Sequence, residues 1–376
     1  MVQPGSWLGI LGGGQLARMF TMAAQTMGYR VAVLDPDQSS PGGRVAERHI
    51  QANYDDLDAL SVLARVTSAV TTEFENVPAD SLRFLDNLVS VSPNAEAVEI
   101  AQDRIREKTF LHNHGFRVAP HVVITHADDF NHFSHNISFP GILKVSRFGY
   151  DGKGQLLVNN LSELKIGFEK LGGVPCVFEQ FLPLHSEVSV IVARDHTGDT
   201  AVFPVAENQH SGGVLDVTIA PARAAEQIVS MAEQLAISLA EALQYNGILC
   251  VEFFILNDGA LVINEIAPRP HNSGHYTMDA CSVSQFEQQV RVTSGLPLVR
   301  PRQYTPAVMV NLLGDLWRNG EPNWHRVLQD DRVKLHLYGK EDPRPGRKMG
   351  HLTIVDSDLD RALLLSQEIK QVLRQE

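Results

Sequence analysis

WLGILGGGQLARMFTMAAQTMGYRVAVLD, residues 7–35, reads as a strand, a glycine loop, an amphipathic helix, a second strand and an acidic residue. Gly12 to Ala17 fits G-x-G-x-x-[GA], and Asp35 follows 21 positions after Gly14. That is close to the dinucleotide-binding fingerprint. Gly28 suits the position just past the helix C-terminus. Outward from this unit, SAVTTEF and LVSVSP read as further strands and DDLDALSVLARV as a helix. Strands alternating with helices predict a parallel, doubly wound sheet.

The chain has 376 residues, 44% hydrophobic and 20% charged, with a net charge of −12. That length predicts two or three domains. We place a Rossmann-like α/β domain at 1–98, an α+β domain at 99–297 and a small α+β domain at 298–376. No apolar run reaches the roughly 18 residues of a membrane span, and the start has no secretory pattern. Cys176, Cys250 and Cys281 make no disulfide framework, so a cytoplasmic location is expected. The acidic balance argues against a broad nucleic-acid surface. Six histidines between His112 and His135 show no metal-site spacing and read as surface.

The most informative later stretch is ILCVEFFILNDGALVINEI. A two-residue turn at Asp258-Gly259 pairs Leu256 with Leu261 and Phe254 with Ile263, and sets Glu252 opposite Glu265. Like charges facing each other destabilise a sheet, and Phe254, Leu256, Leu261 and Ile263 would share their face. A divalent cation between the carboxylates relieves this, and Mg²⁺ suits oxygen ligands; solvent at a frayed strand end is the alternative. Asn264 adds an amide oxygen nearby, although simple alternation sends it to the other face.

Four more stretches carry polar groups in unusual settings. In GILKVSRFGYDGKGQLLV, Lys144 lies in an apolar strand, where it needs a partner. The following glycines either cover phosphates or make an ordinary hairpin. In CVFEQFLPLHSEVSV, backbone groups near Glu179–Leu182 would read an adenine edge and Glu187 a ribose, or the segment simply joins two strands. NEIAPRPHNSGH crowds Arg269, His271, Asn272 and His275 beside the paired carboxylates, where Arg suits oxyanions and His a proton. YGKEDPRPGRKMGH holds Lys340, Arg344, Arg347 and Lys348, a phosphate pocket or a solvated turn.

The order of these pieces resembles the ATP-grasp superfamily. Within it, GGGQLARM, TTEFENVP, QDRIREKTFL, FGYDGKGQ, ENQH, NEIAPRPHNSGH and RPGRKMGH resemble the N5-carboxyaminoimidazole ribonucleotide synthetase family, over about residues 7–355. The glycine loops are unspecific; RPHNSGH followed by RPGRKMGH is the specific combination. The resemblance implies an ATP-grasp ligase of purine biosynthesis, using ATP and Mg²⁺ (a pair of ions) to carboxylate aminoimidazole ribonucleotide with bicarbonate through carboxyphosphate, as a homodimer. It implies ATP contacts at Arg104, Lys144, Gly149, Tyr150, Asp151, Gly152, Lys153, Gly154, Gln155, Glu179, Gln180, Phe181, Leu182, Glu187, His210, Asn264 and Glu265, with metal at Glu252 and Glu265. Bicarbonate or carboxyphosphate would meet the catalytic residues Arg269, His271 and Asn272. The ribonucleotide would meet Gln15, Leu16, Glu73, Tyr150, Asp151, Asn272, Lys340, Arg347 and Lys348.

Three departures from the family pattern remove no proposed ligand: Ala17 for a frequent Gly, a less basic LKVSRFGYDG, and a looser SGGVLD after His210. The opening glycine loop then reads as a wall of the ribonucleotide pocket, with Gln15 pointing in and Asp35 ending a strand. The rivals are a formate-dependent glycinamide ribonucleotide transformylase, a biotin carboxylase, a NAD-dependent oxidoreductase and a non-enzymatic ATP-binding regulator.

Overall fold

The computed structural model describes residues 1–132, 138–149 and 154–374. The opening stretch forms the centre of a five-stranded parallel sheet. Its order is Arg48–Ile50, Arg30–Leu34, Trp7–Leu11, Ala69–Thr72, Ser90–Ser92. Nearly every side chain of the central strands is buried, which is why they read as continuous apolar runs rather than alternating ones. The helix Gln15–Thr26 follows the glycine loop, and Gly28 ends it at φ +84°.

A four-stranded antiparallel sheet, in the order His121–Ile124, Cys176–Gln180, Gly141–Val145, Gln155–Val158, packs on the helix Leu161–Lys170. The third sheet is the largest. Its ladder runs Leu261–Ala267, Gly247–Leu256, Leu184–Arg194, Ala206–Ser211, Val214–Ala220, Ala307–Leu313, Lys348–Val355, Val333–Leu337, and Thr200–Val202 pairs beside Leu184–Arg194. The strands after residue 298 therefore extend the same sheet as those before it, joined by the pairing of Val217 with Val310 and Ile219 with Val308.

Two helices tie the layers together. Gln285–Ser294 packs between the first helix and the large sheet, and its Gln289 Nε2 donates to Thr71 Oγ1 at 3.1 Å. Arg104–Asn113 bridges the four-stranded sheet and the end of the large one. Asp103 caps it, accepting from the backbone N–H of Ile105 and Arg106; such a cap is worth about 1 kcal/mol.

Candidate active site

The hairpin of paired carboxylates differs from the expectation in two ways that cancel. Its turn has three residues rather than two: Leu256 donates to Ala260 O at 2.9 Å, and Gly259 takes φ +80°. Ile255 therefore faces Leu261, Phe254 faces Val262 and Phe253 faces Ile263. A bulge at Asn264 then inserts one residue, and Glu252 lies opposite Glu265. The one-residue slip moves Leu261 and Ile263 off the carboxylate face and into the core with Phe253 and Ile255. The bulge also breaks simple alternation at Asn264.

A group of charged side chains surrounds that bulge. Lys108, with no exposed side-chain surface, donates to Asn264 O at 2.6 Å and lies 3.6 Å from Glu179 Oε1. Lys144 donates to Glu179 Oε2 at 3.0 Å. The expensive lysine of the apolar strand thus has a partner inside the chain. Arg104 Nη1 reaches Glu265 Oε2 at 3.0 Å, and Ile266 N–H donates to Glu107 at 2.7 Å. Burial raises the carboxyl pKa of Glu179, but Lys108, Lys144 and Arg104 outweigh it and hold the value down at about 2. At Glu107 burial dominates and the value rises to about 7.

Within the carboxylate pair, burial and then the charge of Glu265 push Glu252 up. Glu265 is held low, because Arg104 and Lys144 overcome its own burial. Asn264 Oδ1 is buried and accepts no hydrogen bond among the described residues. Two opposed carboxylates, with this amide oxygen on the residue before Glu265, are hard oxygen donors of the kind that Mg²⁺ takes.

Glu252 Oε1 is 3.3 Å from His271 Nε2, whose other nitrogen, Nδ1, meets Ser273 Oγ at 2.8 Å. Burial, then the charges of Arg269 and Lys348, keep His271 well below the usual imidazole value, so its ring is neutral. Arg269 Nε pairs with Glu75 and its Nη1 with Pro270 O, so part of the guanidinium is already engaged. The Asn272 amide exchanges hydrogen bonds with Asn311 in both directions, at 3.0 and 2.6 Å. His210 Nδ1 meets Glu187 Oε2 at 2.9 Å. Burial opposes its protonation, but Glu187, Glu252 and Glu265 raise its pKa overall.

The backbone N–H groups of Gln180 and Phe181 go to Pro120 O and Pro140 O, whereas that of Leu182 has no acceptor among the described residues. Gly149 and Gly154 flank the glycine hairpin; Gly154 takes φ +72° and its carbonyl accepts from Val145 N–H, and Gln155 opens the next strand opposite Lys144. Tyr150, Asp151, Gly152 and Lys153 lie outside the described residues.

The opening glycine loop does offer its amides to anions, but the anions are the chain's own. Gly13 N–H donates to Asp35 at 2.7 Å; Gly14 N–H donates to Glu73 at 2.5 Å, and Ala17 N–H to the same carboxylate at 3.0 Å. A Cβ on Gly14 would sit 2.4 Å from Glu73 Oε1. The helix N-terminus that the fingerprint reserves for a pyrophosphate is filled by Glu73, and Asp35 is turned inward to Tyr54 OH at 2.6 Å. Both observations go against the NAD reading. Leu16 is packed in the core, while Gln15 accepts from Lys340 Nζ, which also donates to Lys348 O at 2.7 Å. Arg347 donates to Asp342 O at 2.8 Å.

Five residues here were not singled out from sequence: Glu75, Glu107, Lys108, Ser273 and Asn311. Lys108 left a signal, because Arg104, Glu107 and Lys108 occupy i, i+3 and i+4 of one helix face, where a core-facing helix carries apolar residues. Glu75 and Asn311 left none, since their partners lie 194 and 39 positions away.

Family models agree with this layout. A ribonucleotide synthetase preATP-grasp domain matches residues 6–102, an ATP-grasp domain residues 109–286, and a phosphoribosylaminoimidazole carboxylase C-terminal domain residues 307–363. The N5-carboxyaminoimidazole ribonucleotide synthase of Brucella melitensis biotype 1 is 43% identical over 94% of this chain and 97% of its own. That of Bacillus subtilis is 40% identical over 96% of this chain and 94% of its own. The crystal structure of an ADP complex of N5-carboxyaminoimidazole ribonucleotide synthetase superposes with a TM-score of 0.92 at 39% identity, covering 98% and 97% of the two chains. The Aspergillus clavatus enzyme in complex with ADP and 5-aminoimidazole ribonucleotide gives 0.90 at 28% identity, covering 99% of each. With that coverage, and with the paired carboxylates in place, the chain belongs to the N5-carboxyaminoimidazole ribonucleotide synthase family of ATP-grasp ligases.

Proposed function

We propose that the chain joins bicarbonate to the exocyclic amine of 5-aminoimidazole ribonucleotide, converting ATP to ADP and phosphate, in purine biosynthesis. One observation carries the reading. Polar contacts run from Lys144 and Glu179 through Lys108 to Asn264, with Glu265 on Arg104 and the opposed Glu252 on His271, and a second set joins Lys348, Lys340 and Gln15. An ATP site at one end and a phosphomonoester site at the other would have the reacting groups between them.

Bicarbonate is a poor electrophile, so its oxygen first attacks the γ-phosphorus and ADP leaves. The amine nitrogen then attacks the carboxyl carbon of carboxyphosphate, or the CO₂ it releases, and phosphate departs. In this reading Arg104 and Lys144 balance charge at the triphosphate. The N–H of Leu182 reads the adenine edge, and Glu187 takes the ribose hydroxyls. Arg269 and Asn272 hold the carboxyphosphate in line, and neutral His271 takes the amine proton at Nε2. Lys340, Arg347 and Lys348 hold the ribonucleotide phosphate. Mg²⁺, held by Glu252, Glu265 and Asn264, would supply charge neutralisation at the phosphates. From the family resemblance alone we carry forward a homodimer in the cytoplasm; no helix among the described residues is long and apolar enough to cross a membrane.

The test is ADP formation requiring both bicarbonate and aminoimidazole ribonucleotide. Glu265→Ala should abolish it with the circular-dichroism spectrum unchanged. Turnover that needs formate and glycinamide ribonucleotide instead would replace this reading with the transformylase.

A further inference from the structure

We propose that Cys250, Glu252 and His271 form a binding site for a thiophilic divalent metal of the Zn²⁺ class, and that its occupancy withdraws Glu252 from Mg²⁺. Cys250 and Glu252 are two apart on the strand Gly247–Leu256, so their side chains leave the same face. Beyond the partner strand, which ends at Ala267, the chain turns back through Arg269 and Pro270 and sets His271 over that face. One donor atom from each of the three lies within 4.8 Å of the other two.

The spacing of the first pair already fits coordination. His271 Nε2 and Glu252 Oε1 are 3.3 Å apart. Two ligands at about 2.0–2.1 Å from one tetrahedral ion are separated by about 3.3–3.4 Å. His271 is oriented as metal-bound imidazoles are, with its far nitrogen on Ser273 Oγ, which itself bonds Ser189 Oγ at 2.7 Å. Glu252 and His271 keep 12% and 14% of their side-chain surface exposed, while Cys250 is fully buried. An ion therefore enters past the carboxylate and imidazole and meets the thiol last.

Donor chemistry sets the preference. Sulfur and nitrogen ligands favour Zn²⁺ over Mg²⁺, which takes oxygen. On binding, the S–H bond breaks, the sulfur keeps the electron pair and bonds the metal, and the proton leaves to solvent. Glu252 is common to both ions, so the two compete. That competition rests on the Mg²⁺ assignment proposed above; binding itself does not.

The experiment uses the metal-free full chain and Co²⁺ as a coloured substitute, with Zn²⁺ as competitor. Wild type should develop a thiolate-to-cobalt charge-transfer band that Zn²⁺ abolishes, and Zn²⁺ should inhibit ADP formation until a chelator is added. In Cys250→Ala the band should be missing, basal ADP formation retained, and the inhibitory Zn²⁺ concentration raised at least about tenfold. Cys250→Ser, close in size, controls for packing and should also lack the band. No band in wild type, or an equal band in Cys250→Ala, overturns the site. A band without Zn²⁺ inhibition, or equal inhibition in both proteins, overturns the competition. A band in a chain that makes no ADP from bicarbonate and aminoimidazole ribonucleotide would leave the metal site standing and remove the proposed function.

Discussion

Lys108→Met tests whether the charges under the bulge are held by mutual compensation. Lys108 Nζ donates to Asn264 O at 2.6 Å and lies 3.6 Å from Glu179 Oε1, and neither side chain is more than 4% exposed. At an effective dielectric of about 20, a pair at that distance is worth roughly 4–5 kcal/mol of attraction, and the charged hydrogen bond about 1.5–3 kcal/mol. Against this, the variant no longer desolvates an ammonium, and Lys144 still meets Glu179 at 3.0 Å. A net loss of about 2–4 kcal/mol remains. For a cooperative unit of this length, that lowers Tm by about 3–5 °C.

The sign of the pH dependence follows from Glu179. Its folded pKa is depressed to about 2, so its contribution is present above the ordinary carboxylate range and is lost as pH falls toward 2. In the variant, burial faces one cation fewer, and Glu179 takes up a proton at higher pH. The stability gap between wild type and variant should therefore be constant near neutrality and narrow as pH falls below the variant's raised value toward the wild-type value of about 2. Thermal melts across that range read it directly. A gap as wide at the most acid pH at which both proteins still fold as at pH 8 would show that the loss is one of packing, and the compensation argument would fall.

Three further outcomes are expected. Glu252→Gln removes one of two opposed charges, so it should raise the Tm of the metal-free protein; saturating Mg²⁺, worth about 2.7 kcal/mol at a hundredfold excess over Kd, should raise wild type by about 3 °C and the variant by less. Asn311→Ala strands the buried Asn272 amide and Leu215 O, which its own amide bonds at 2.7 Å; a loss of about 2–4 kcal/mol and slower ADP formation should follow, and unchanged melting would refute the account. His210 has a raised pKa, so its pairing with Glu187 contributes fully below about pH 6.5 and is lost as pH rises through the folded value; His210→Asn should cost stability at pH 6 and little at pH 9, read by paired melts.

The α/β opening was legible because buried parallel strands and a capped helix leave strong local patterns, and Glu252 was matched to Glu265 by counting along a hairpin. The count reached the right pair through a turn one residue too short and a bulge it did not foresee. A bulge has no compositional mark of its own here, since Asn264 looks like any residue before a carboxylate. The second half of the strand Ala206–Ser211 carries no strand signal of its own, because Gln209 to Ser211 are polar and exposed. Lys144 was recognised as needing a partner, but Glu179 lies 35 positions on, across a strand pairing that sequence spacing does not specify. The glycine loop misled most, because its amides serve an anion as the motif suggests, and only the fold reveals that the anion is Glu73.

The large sheet has one more consequence. Glu252 and Glu265 stand on strands near one end of the ladder, and Lys348 opens a strand near the other. A hinge between them would have to break backbone hydrogen bonds across several strand pairs. The separation between the paired carboxylates and Lys348 along the ladder is thus a fixed length, set when the chain folds. The four-stranded layer that carries Lys144 and Glu179 is a separate sheet, and the buried Lys108 pins it to the same ladder at Asn264, so both layers share one frame.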